Sequence, residues 1–374
     1  MTIAYDVSHI QRRRAGIGRY SLSLLSEILR LDQANHYVLH GWSHSIDRST
    51  LEGLSSSRVS LSIHRIPGFV KRGYWERIRL LPLILFTGRY DIFHSADPFS
   101  PPVGRQKLIV TVYDLLGLTH PQYFERSVVR RCRHMAGWMQ KADAIIVPSR
   151  FALHQCVSLG IKSESKIHIV PPLLERQFSE NPDSSDQSVV AELGLSHPYI
   201  LFVGTIEPRK NIPGLIKAFE LLGGHEDVDL VLAGKLGWLS GDVIRQIRLS
   251  PKASSIRWLE YVPESALGPL YRRALCFIYP SFAEGYGLPV AEAMACGTPV
   301  ITSNSSALAE IGEGAVRLVS PESPEEISNA MRDLLHNAQD RASLREAGLR
   351  RALEIREASS ARAVIRLYES LMRR

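Results

Sequence analysis

The chain has 374 residues, of which 45% are hydrophobic and 22% charged, and its formal net charge is +7. This composition excludes intrinsic disorder, a collagen repeat and a continuous coiled coil. At about 100 to 200 residues per domain, the length predicts two domains, each with its own core, and makes a cleft between them the first place to look for a ligand site.

The cysteines and the first residues predict a cytoplasmic protein. The N-terminus, MTIAYDVSHI, has no charged segment followed by an apolar one, and the longest apolar run, residues 80–86, is far below the roughly 20 residues that a membrane span requires. The four cysteines lie far apart, without the spacing of zinc ligands or of a disulfide framework. They are Cys132, Cys156, Cys276 and Cys296.

The positive charge is concentrated in the first half of the chain. Residues 1–174 contain 23 Lys and Arg against 12 Asp and Glu, a net +11, whereas residues 175–374 contain 22 against 26, a net −4. Such a field attracts nucleic acid, anionic lipid headgroups or a phosphorylated substrate, and charge alone leaves all three open.

In the first half, short β-rich runs alternate with helical patterns. Strands are predicted at 2–7, 36–40, 59–64, 91–94, 107–113, 143–147 and 166–170, and helices at 18–31, 74–86, 125–141 and 150–159. This alternation predicts a parallel sheet covered by helices. The polar segment 175–190 that follows predicts a linker.

The alternation restarts after the linker, so the fold class is α/β with two doubly wound sheets. Strands are predicted at 198–204, 228–234, 256–262, 275–280, 298–303 and 315–319. The predicted domains are residues 1–175 and 176–355, followed by an amphipathic helix within 356–374. Ligands of open α/β sheets bind beyond the carboxyl ends of the strands, where we look for motifs.

The stretch SFAEGYGLPVAEAMACGTPV, residues 281–300, combines glycines and carboxylates after a strand. Gly285 and Gly287 allow a tight turn before a helix, which makes a phosphate cradle of backbone N–H groups. Those N–H groups belong to Tyr286, Gly287 and Leu288. Glu284 precedes the turn and Glu292 lies two helical turns beyond it, so both carboxylates can face one ligand and hold sugar hydroxyls.

This run closely resembles the E-x7-E signature of the retaining GT-B glycosyltransferases of glycosyltransferase family 4, and the resemblance covers essentially the whole chain. It implies a GT-B fold, in which two Rossmann-like domains face a cleft. The first domain then binds the acceptor, the second binds the nucleotide sugar, and the last helix packs back on the first. Carried over, Glu284 lies by the transferred sugar and Glu292 holds the ribose. The family implies metal-independent transfer without a cofactor.

Protein cations are expected near the diphosphate, and GTIEPRKNI, residues 204–212, supplies them after a strand. Arg209 and Lys210 can stabilise the charge that develops on a departing diphosphate. The segment resembles a subgroup that includes bacterial mannosyltransferases of polysaccharide assembly. Many relatives have Arg directly after the glycine, where this chain has Thr205, so we assign Arg209 the larger share of the phosphate charge.

The first domain contributes a glycine-rich loop and a histidine. In RRRAGIGRY, residues 12–20, Gly16 and Gly18 permit close approach to the donor, and a helix follows. The pattern D-x5-H-P resembles that of relatives in which a histidine contacts the transferred sugar, which falls on His120. Asp114 in the same run is expected to orient this loop or to bind the acceptor.

Two weaker patterns concern the nucleotide base and the membrane. The base is expected at strand-end loops, with ordinary turns as the alternative, and the candidates are Gly234, Lys235 and Val262. Segments 70–86 and 126–141 mix cations with aromatic residues, which favours an anionic membrane surface. For either segment alone, an ordinary amphipathic helix packed on a sheet is an equal alternative. The acceptor-side or membrane-side candidates are Arg12, Arg13, Arg14, Tyr74 and Trp75.

We therefore predict a hexosyltransferase of the EC 2.4.1 type that retains the anomeric configuration. It moves mannose, or a GDP-linked deoxyhexose such as rhamnose, from a nucleotide sugar to a lipid-linked or growing glycan (O-antigen, capsule or exopolysaccharide) at the inner face of the cell membrane. The partners are GDP-mannose and a glycan acceptor, without nucleic acid. The alternatives are a UDP-sugar donor, a GT-B nucleotide-sugar epimerase and a nucleic-acid-binding protein.

Overall fold

The computed structural model describes residues 1–11, 16–42, 45–64, 87–96, 104–181, 183–223 and 227–373. Within these ranges the strands form two sheets, of seven and six strands, in which neighbouring strands are parallel. The prediction of two Rossmann-like doubly wound domains is confirmed. The helix predicted at 74–86 lies outside the described residues.

The first sheet has the strand order β3-β2-β1-β4-β5-β6-β7. Its strands are Thr2–Asp6 (β1), His36–Trp42 (β2), Val59–His64 (β3), Ile92–Ser95 (β4), Lys107–Thr111 (β5), Ala144–Val147 (β6) and Ile167–Ile169 (β7). Central strands such as β4 and β6 are buried at every residue. Burial on both faces explains why the sequence of β6, AIIV, is apolar throughout.

Between residues 1 and 173, the structure describes five α-helices. They are Gly16–Leu31, Arg48–Glu52, Leu116–Thr119, Arg126–Met139 and Arg150–Ser158. The first of them corrects the predicted glycine-rich loop, because Gly16 and Gly18 lie in its first turn instead of in a loop before it. Glycine costs a helix up to about 1 kcal/mol relative to alanine in its interior, and less at an end, where the backbone is only partly fixed.

The second sheet has the order β10-β9-β8-β11-β12-β13. Its strands are Tyr199–Val203 (β8), Asp229–Ala233 (β9), Ile256–Leu259 (β10), Cys276–Tyr279 (β11), Val300–Ser303 (β12) and Arg317–Val319 (β13). The α-helices that the structure describes from residue 186 to 357 are Asp186–Glu192, Ile212–Glu220, Gly241–Leu249, Glu264–Arg273, Leu288–Ala295, Ser306–Ile311, Pro324–His336 and Ala338–Glu357. Their apolar faces and strands β8 to β13 form one core.

The chain divides into two compact units that exchange two segments. The first unit comprises residues 1–115, 130–173 and 358–374, and the second comprises 116–129 and 174–357. Assignment of 116–129 to the second unit differs from the predicted boundary at 175. The reason is local: the Trp238 indole N–H donates to the carbonyl of Tyr123 (2.9 Å), and the ring of Trp238 stacks on Phe124.

The last helix, Ser360–Met372, belongs to the first unit. Its apolar side, including Val364 and Leu367, is part of the first core, next to the helix Gly16–Leu31. The Tyr368 hydroxyl lies 2.6 Å from Nδ1 of His94 on β4, while Nε2 of His94 lies 2.9 Å from the Thr111 hydroxyl. A buried polar network therefore joins this helix to the sheet. None of the helices in the described ranges is long and apolar enough to cross a membrane.

We expect acid to destabilise the first unit through His94. Complete burial lowers the pKa of His94 to about 3, far more than the nearby Asp6 raises it. Between pH 6.5 and 3 the unfolded chain binds a proton at this position and the folded protein does not, so stability falls as the pH is lowered. At pH 5 the cost is about 2 kcal/mol relative to pH 7.

The measurement is urea unfolding of the wild type and His94→Gln at pH 7 and pH 5. Glutamine keeps hydrogen-bonding groups but does not titrate, so the variant is expected to lose about 2 kcal/mol less over this interval. Equal losses in both proteins would show that His94 is not the group that titrates.

Candidate active site

The predicted site residues of the second unit lie at the carboxyl ends of β8 to β11. The connection order of the second sheet reverses between β8 and β11, which is where open α/β sheets bind ligands. Pairing of Cys276 with Ile200 and of Phe277 with Leu201 aligns these two strands in parallel. The loops that follow them, 204–211 and 280–287, therefore emerge side by side.

Four charged side chains meet between these two loops. Nη1 of Arg209 lies 2.5 Å from Oε2 of Glu284, and the Lys210 ammonium pairs with the other oxygen of the same carboxylate. Nε of Arg209 pairs with Glu207 at 2.6 Å. Lys210 and Glu284 are only 5% and 6% exposed. The structure thus brings together Arg209, Lys210 and Glu284, as three of the four predicted catalytic residues, in a buried ion cluster.

Burial and charge act against each other in this cluster. Burial raises the pKa of the Glu284 carboxyl, but the adjacent Arg209 and Lys210 charges outweigh it and hold that pKa at about 2. Burial, with the charge of Arg209, lowers the pKa of Lys210. Burial also raises the pKa of Glu207 despite Arg209 beside it. Glu284 is therefore a carboxylate at any physiological pH, fixed between two cations.

Tyr279, the last residue of β11, completes the cluster and was not among the predicted site residues. Its hydroxyl accepts a hydrogen bond from the Lys210 ammonium, which also lies 4.7 Å from the centre of its ring. Sequence reasoning treated this residue only as part of an apolar strand. The available signal was its position, since the last residue of a strand at a switch point borders the ligand crevice.

The turn before the helix Leu288–Ala295 has the form of an anion site. Gly287 has φ 110°, a conformation that favours glycine, and a Cβ at this position would also displace the end of the Leu308 side chain, whose Cδ2 would lie 2.7 Å away. Within the described part of the chain, no acceptor faces the backbone N–H groups of Tyr286, Gly287 and Leu288. These three donors at a helix N-terminus are available to an anion.

The backbone of Glu284 is also held in place. Its N–H donates to the hydroxyl of Ser306 (3.1 Å), and its carbonyl accepts from the N–H of Ala307 (3.4 Å). Ser306 has φ 59°, which is unusual for a residue other than glycine. Such strain is kept only where surrounding contacts fix it, and here those contacts fix the loop of Glu284.

Glu292 lies in the second turn of the same helix and is 2% exposed. The hydroxyl of Tyr271, on the helix Glu264–Arg273, donates to its Oε2 at 3.0 Å. The two carboxylates of the E-x7-E pattern thus have different partners: Glu284 contacts two cations, and Glu292 contacts a hydroxyl group.

The candidate base-binding loop after β9 is packed directly on the loop that follows β8. A Cβ at Gly234 would lie 2.0 Å from the carbonyl oxygen of Gly204, and the N–H of Ile206 donates to the carbonyl of Lys235 (2.9 Å). This close approach explains glycine at position 234. Thr205, in the middle of the contact, is half-buried, as is Val262 beyond β10, while Lys235 is exposed.

His120 connects to the same region through stacked aromatic rings. It directly precedes the short 3-10 turn Pro121–Tyr123, and its ring stacks on that of Tyr123 with centroids 6.4 Å apart. Tyr123 in turn stacks on Phe282 at 5.0 Å and an interplanar angle of 6°. Phe282 precedes Glu284 by two residues, and its N–H donates to the carbonyl of Arg209 (2.8 Å). The fourth predicted catalytic residue therefore belongs to the same neighbourhood.

Comparison with known proteins identifies the family. A family model described as Glycosyltransferase Family 4 matches residues 14–177, and one described as glycosyl transferases group 1 matches residues 185–351. An O-antigen chain mannosyltransferase B of Escherichia coli is 30% identical over 340 residues, which is 88% of this chain and 89% of that protein. The chain belongs to the GT-B glycosyltransferases of family 4.

A second relative and a solved structure are also similar to this chain. An O-antigen chain mannosyltransferase of Salmonella typhimurium is 23% identical over 88% of this family 4 glycosyltransferase and 90% of that protein. Anabaena HepE, solved in complex with UDP and glucose, superposes over 100% of both chains with a TM-score of 0.77 at 15% identity. At this identity the likeness shows the GT-B fold alone.

The remaining predicted residues of the glycosyltransferase lie in its first unit or outside the described ranges. Gly16 is exposed and Gly18 buried at the start of the first helix, and Asp114 is half-buried after β5. These three belong to the first unit. The predicted residues that lie outside the described ranges are Arg12, Arg13, Arg14, Tyr74 and Trp75.

Proposed function

We propose that this glycosyltransferase transfers a hexose from a nucleotide sugar to a hydroxyl group of a lipid-linked or growing bacterial glycan, with retention of the anomeric configuration. The observation that carries the proposal is the buried cluster of Arg209, Lys210 and Glu284 beside the available N–H groups of 286–288. Two cations and three backbone donors suit a diphosphate, and a carboxylate at the same place suits the hydroxyls of the attached sugar.

The proposed donor is GDP-mannose or a GDP-deoxyhexose such as GDP-rhamnose. Two relatives support this donor, because the proteins at 30% and 23% identity are O-antigen chain mannosyltransferases. A UDP-sugar is the second candidate because HepE, which shares the fold, was solved with UDP and glucose. The choice depends on the base-binding loops around Gly234 and Val262, where a few hydrogen bonds decide between guanine and uracil.

The chemistry we propose takes place on one face of the sugar. The bond from the anomeric carbon to the phosphate oxygen breaks, the acceptor oxygen bonds to that carbon, and the acceptor proton passes to the leaving diphosphate. Arg209, Lys210 and the Gly287 turn stabilise the negative charge that develops, without a metal ion. Because both oxygens of Glu284 are engaged with cations, this carboxylate is poorly suited to attack the sugar as a nucleophile.

A thermal-shift screen against GDP, UDP, ADP and their sugar conjugates tests the donor, since a ligand that binds only the folded protein raises its melting temperature. We expect stabilisation by GDP and GDP-mannose. Glu292→Ala should abolish most of this shift if Glu292 holds the ribose, and Glu310→Ala, a half-buried glutamate on another helix, is the control. Stabilisation by UDP compounds alone would replace the donor, and no response to any nucleotide would contradict the function.

The role of Lys210 is tested with Lys210→Gln, which keeps a donor for Glu284 and avoids leaving a large void. Removal of a group that stabilises the leaving charge is expected to lower kcat about 100-fold or more, with a smaller effect on donor KM. Lys217→Gln, exposed on the next helix, is the control for charge alone. Undiminished turnover by Lys210→Gln would exclude this role of Lys210. Because the proposed reaction needs no metal ion, the activity of the wild type should persist in EDTA.

We propose that the protein is a peripheral, cytoplasmic enzyme. Its acceptor-binding side would rest on an anionic membrane surface. Arg126, Arg130 and Arg133 repeat at intervals of four and three residues on the helix Arg126–Met139, so they lie along one face, and all three are exposed. An arginine face of this kind attracts anionic headgroups. The second segment in the prediction, 70–86, lies outside the described residues.

Sedimentation with vesicles tests this placement. Binding to vesicles with phosphatidylglycerol, but not to purely zwitterionic ones, should weaken as salt rises, and the combined Arg130→Glu and Arg133→Glu variant should bind less. Binding that is equal for both lipid compositions would argue against the arginine face.

A further inference from the structure

The Lys210 ammonium has three N–H donors, and the structure accounts for two of them. One bonds to the hydroxyl of Tyr279 and one to Oε1 of Glu284. Among the described residues, the ammonium has no further hydrogen-bond partner. Since the three N–H bonds have tetrahedral geometry, two fixed partners also fix the direction of the third. An ammonium group otherwise rotates freely at the end of its side chain.

Tyr279 is rigid enough to act as the fixed partner. Its ring is buried at the end of β11 and stacks on Phe202 (5.5 Å between centroids) and on Phe277 (5.8 Å). Its backbone carbonyl accepts a hydrogen bond from Thr302 on the neighbouring strand β12 at 2.8 Å. The hydroxyl of Tyr279 has no freedom to move away from Lys210 without disturbing the core.

The Lys210 ammonium joins two acceptors that come from different places in the fold. It donates one N–H to the hydroxyl of Tyr279, at the end of β11, and another to Oε1 of Glu284, in the loop that follows. Tyr279 and Glu284 thus hold the ammonium from two directions. Two fixed acceptors orient an ammonium more strictly than one ion pair, because rotation of the group breaks both hydrogen bonds.

We propose that Tyr279 is a positioning residue that directs the third N–H of Lys210 toward the departing diphosphate. This inference rests on the proposed function and adds to it a residue that contacts neither the sugar nor the phosphate. Preorganised donors stabilise developing charge without a cost of reorientation at the moment of reaction. Without the hydroxyl, the ammonium would bind the donor but would rotate among several orientations.

Loss of the Tyr279 hydroxyl is expected to change the pKa of Lys210. The charged and titratable groups that face Lys210 are Arg209 and Glu207 from the loop after β8, Glu284 from the loop after β11, and Tyr279 itself. Burial and Arg209 already lower the pKa of Lys210. An acceptor oxygen stabilises the charged ammonium, so its removal lowers this pKa further. The ammonium is then lost at a lower pH.

Tyr279→Phe tests the inference, since it keeps the ring, its stacking and the contact of the ammonium with the ring face. We expect kcat to fall about tenfold, with donor KM changed less than about threefold. The alkaline limb of the kcat profile should move to lower pH. Tyr199→Phe is the matched control: this tyrosine is buried on the adjacent strand β8, and its hydroxyl donates to the carbonyl of Leu270 (2.8 Å). Its pH profile should equal that of the wild type.

A second measurement does not depend on turnover. The titration of Lys210 can be followed by NMR of ¹³C at Cε, with the resonance assigned by its absence in Lys210→Gln. A lower pKa in Tyr279→Phe than in the wild type and Tyr199→Phe supports the proposal. An unchanged pKa, or an unchanged kcat and alkaline limb, overturns it. If the wild type turns over no nucleotide sugar, the proposed function fails, and the NMR titration still decides whether Tyr279 holds the ammonium.

Discussion

The site depends on one buried contact, the carboxylate of Glu284 between Arg209 and Lys210. Burying charges costs several kcal/mol for each ion, and the cost is recovered only where partners are placed closely and every oxygen is bonded. The partners come from loops more than seventy residues apart in sequence. Their placement follows from the parallel pairing of β8 with β11, which sets the two loops side by side at the switch point of the sheet. The positions of the charged groups in the cluster therefore depend on the packing of the core that holds β8 and β11 together.

Most of the fold could be predicted because its signals are local. The central strands of a parallel sheet are buried on both faces, so they are visible as short apolar runs. The thirteen predicted strands lie within a few residues of the strands observed. Helix ends were less visible. The first helix begins at Gly16, two residues before its predicted start, because glycine disfavours a helix without excluding it.

The arrangement of the site could be predicted only in part. Strand-end motifs indicated Arg209, Lys210 and Glu284, because cations, a glycine turn and a carboxylate have a recognisable chemistry. That Lys210 is buried, and that Tyr279 lies beside it, depends on the register of β8 against β11 and cannot be obtained from either segment alone. The unit to which segment 116–129 belongs could not be predicted either. In sequence it lies between strands of the first sheet, but its aromatic rings stack on Phe282 and Trp238, and it belongs to the second unit.

The positive and negative charges of the cluster are equal in number, which affects both the folding of the protein and its interaction with a diphosphate. Arg209 and Lys210 oppose Glu207 and Glu284, so the group is formally neutral when no donor is bound. A neutral cluster suits a protein that must fold without its substrate, because no uncompensated charge is buried. It also limits how strongly the cations attract a ground-state diphosphate, since each is shared with a carboxylate. As bond cleavage adds charge to the leaving group, the balance shifts toward the diphosphate, and the cations contribute most where charge is greatest. Interactions that strengthen in the transition state are the ones that accelerate a reaction.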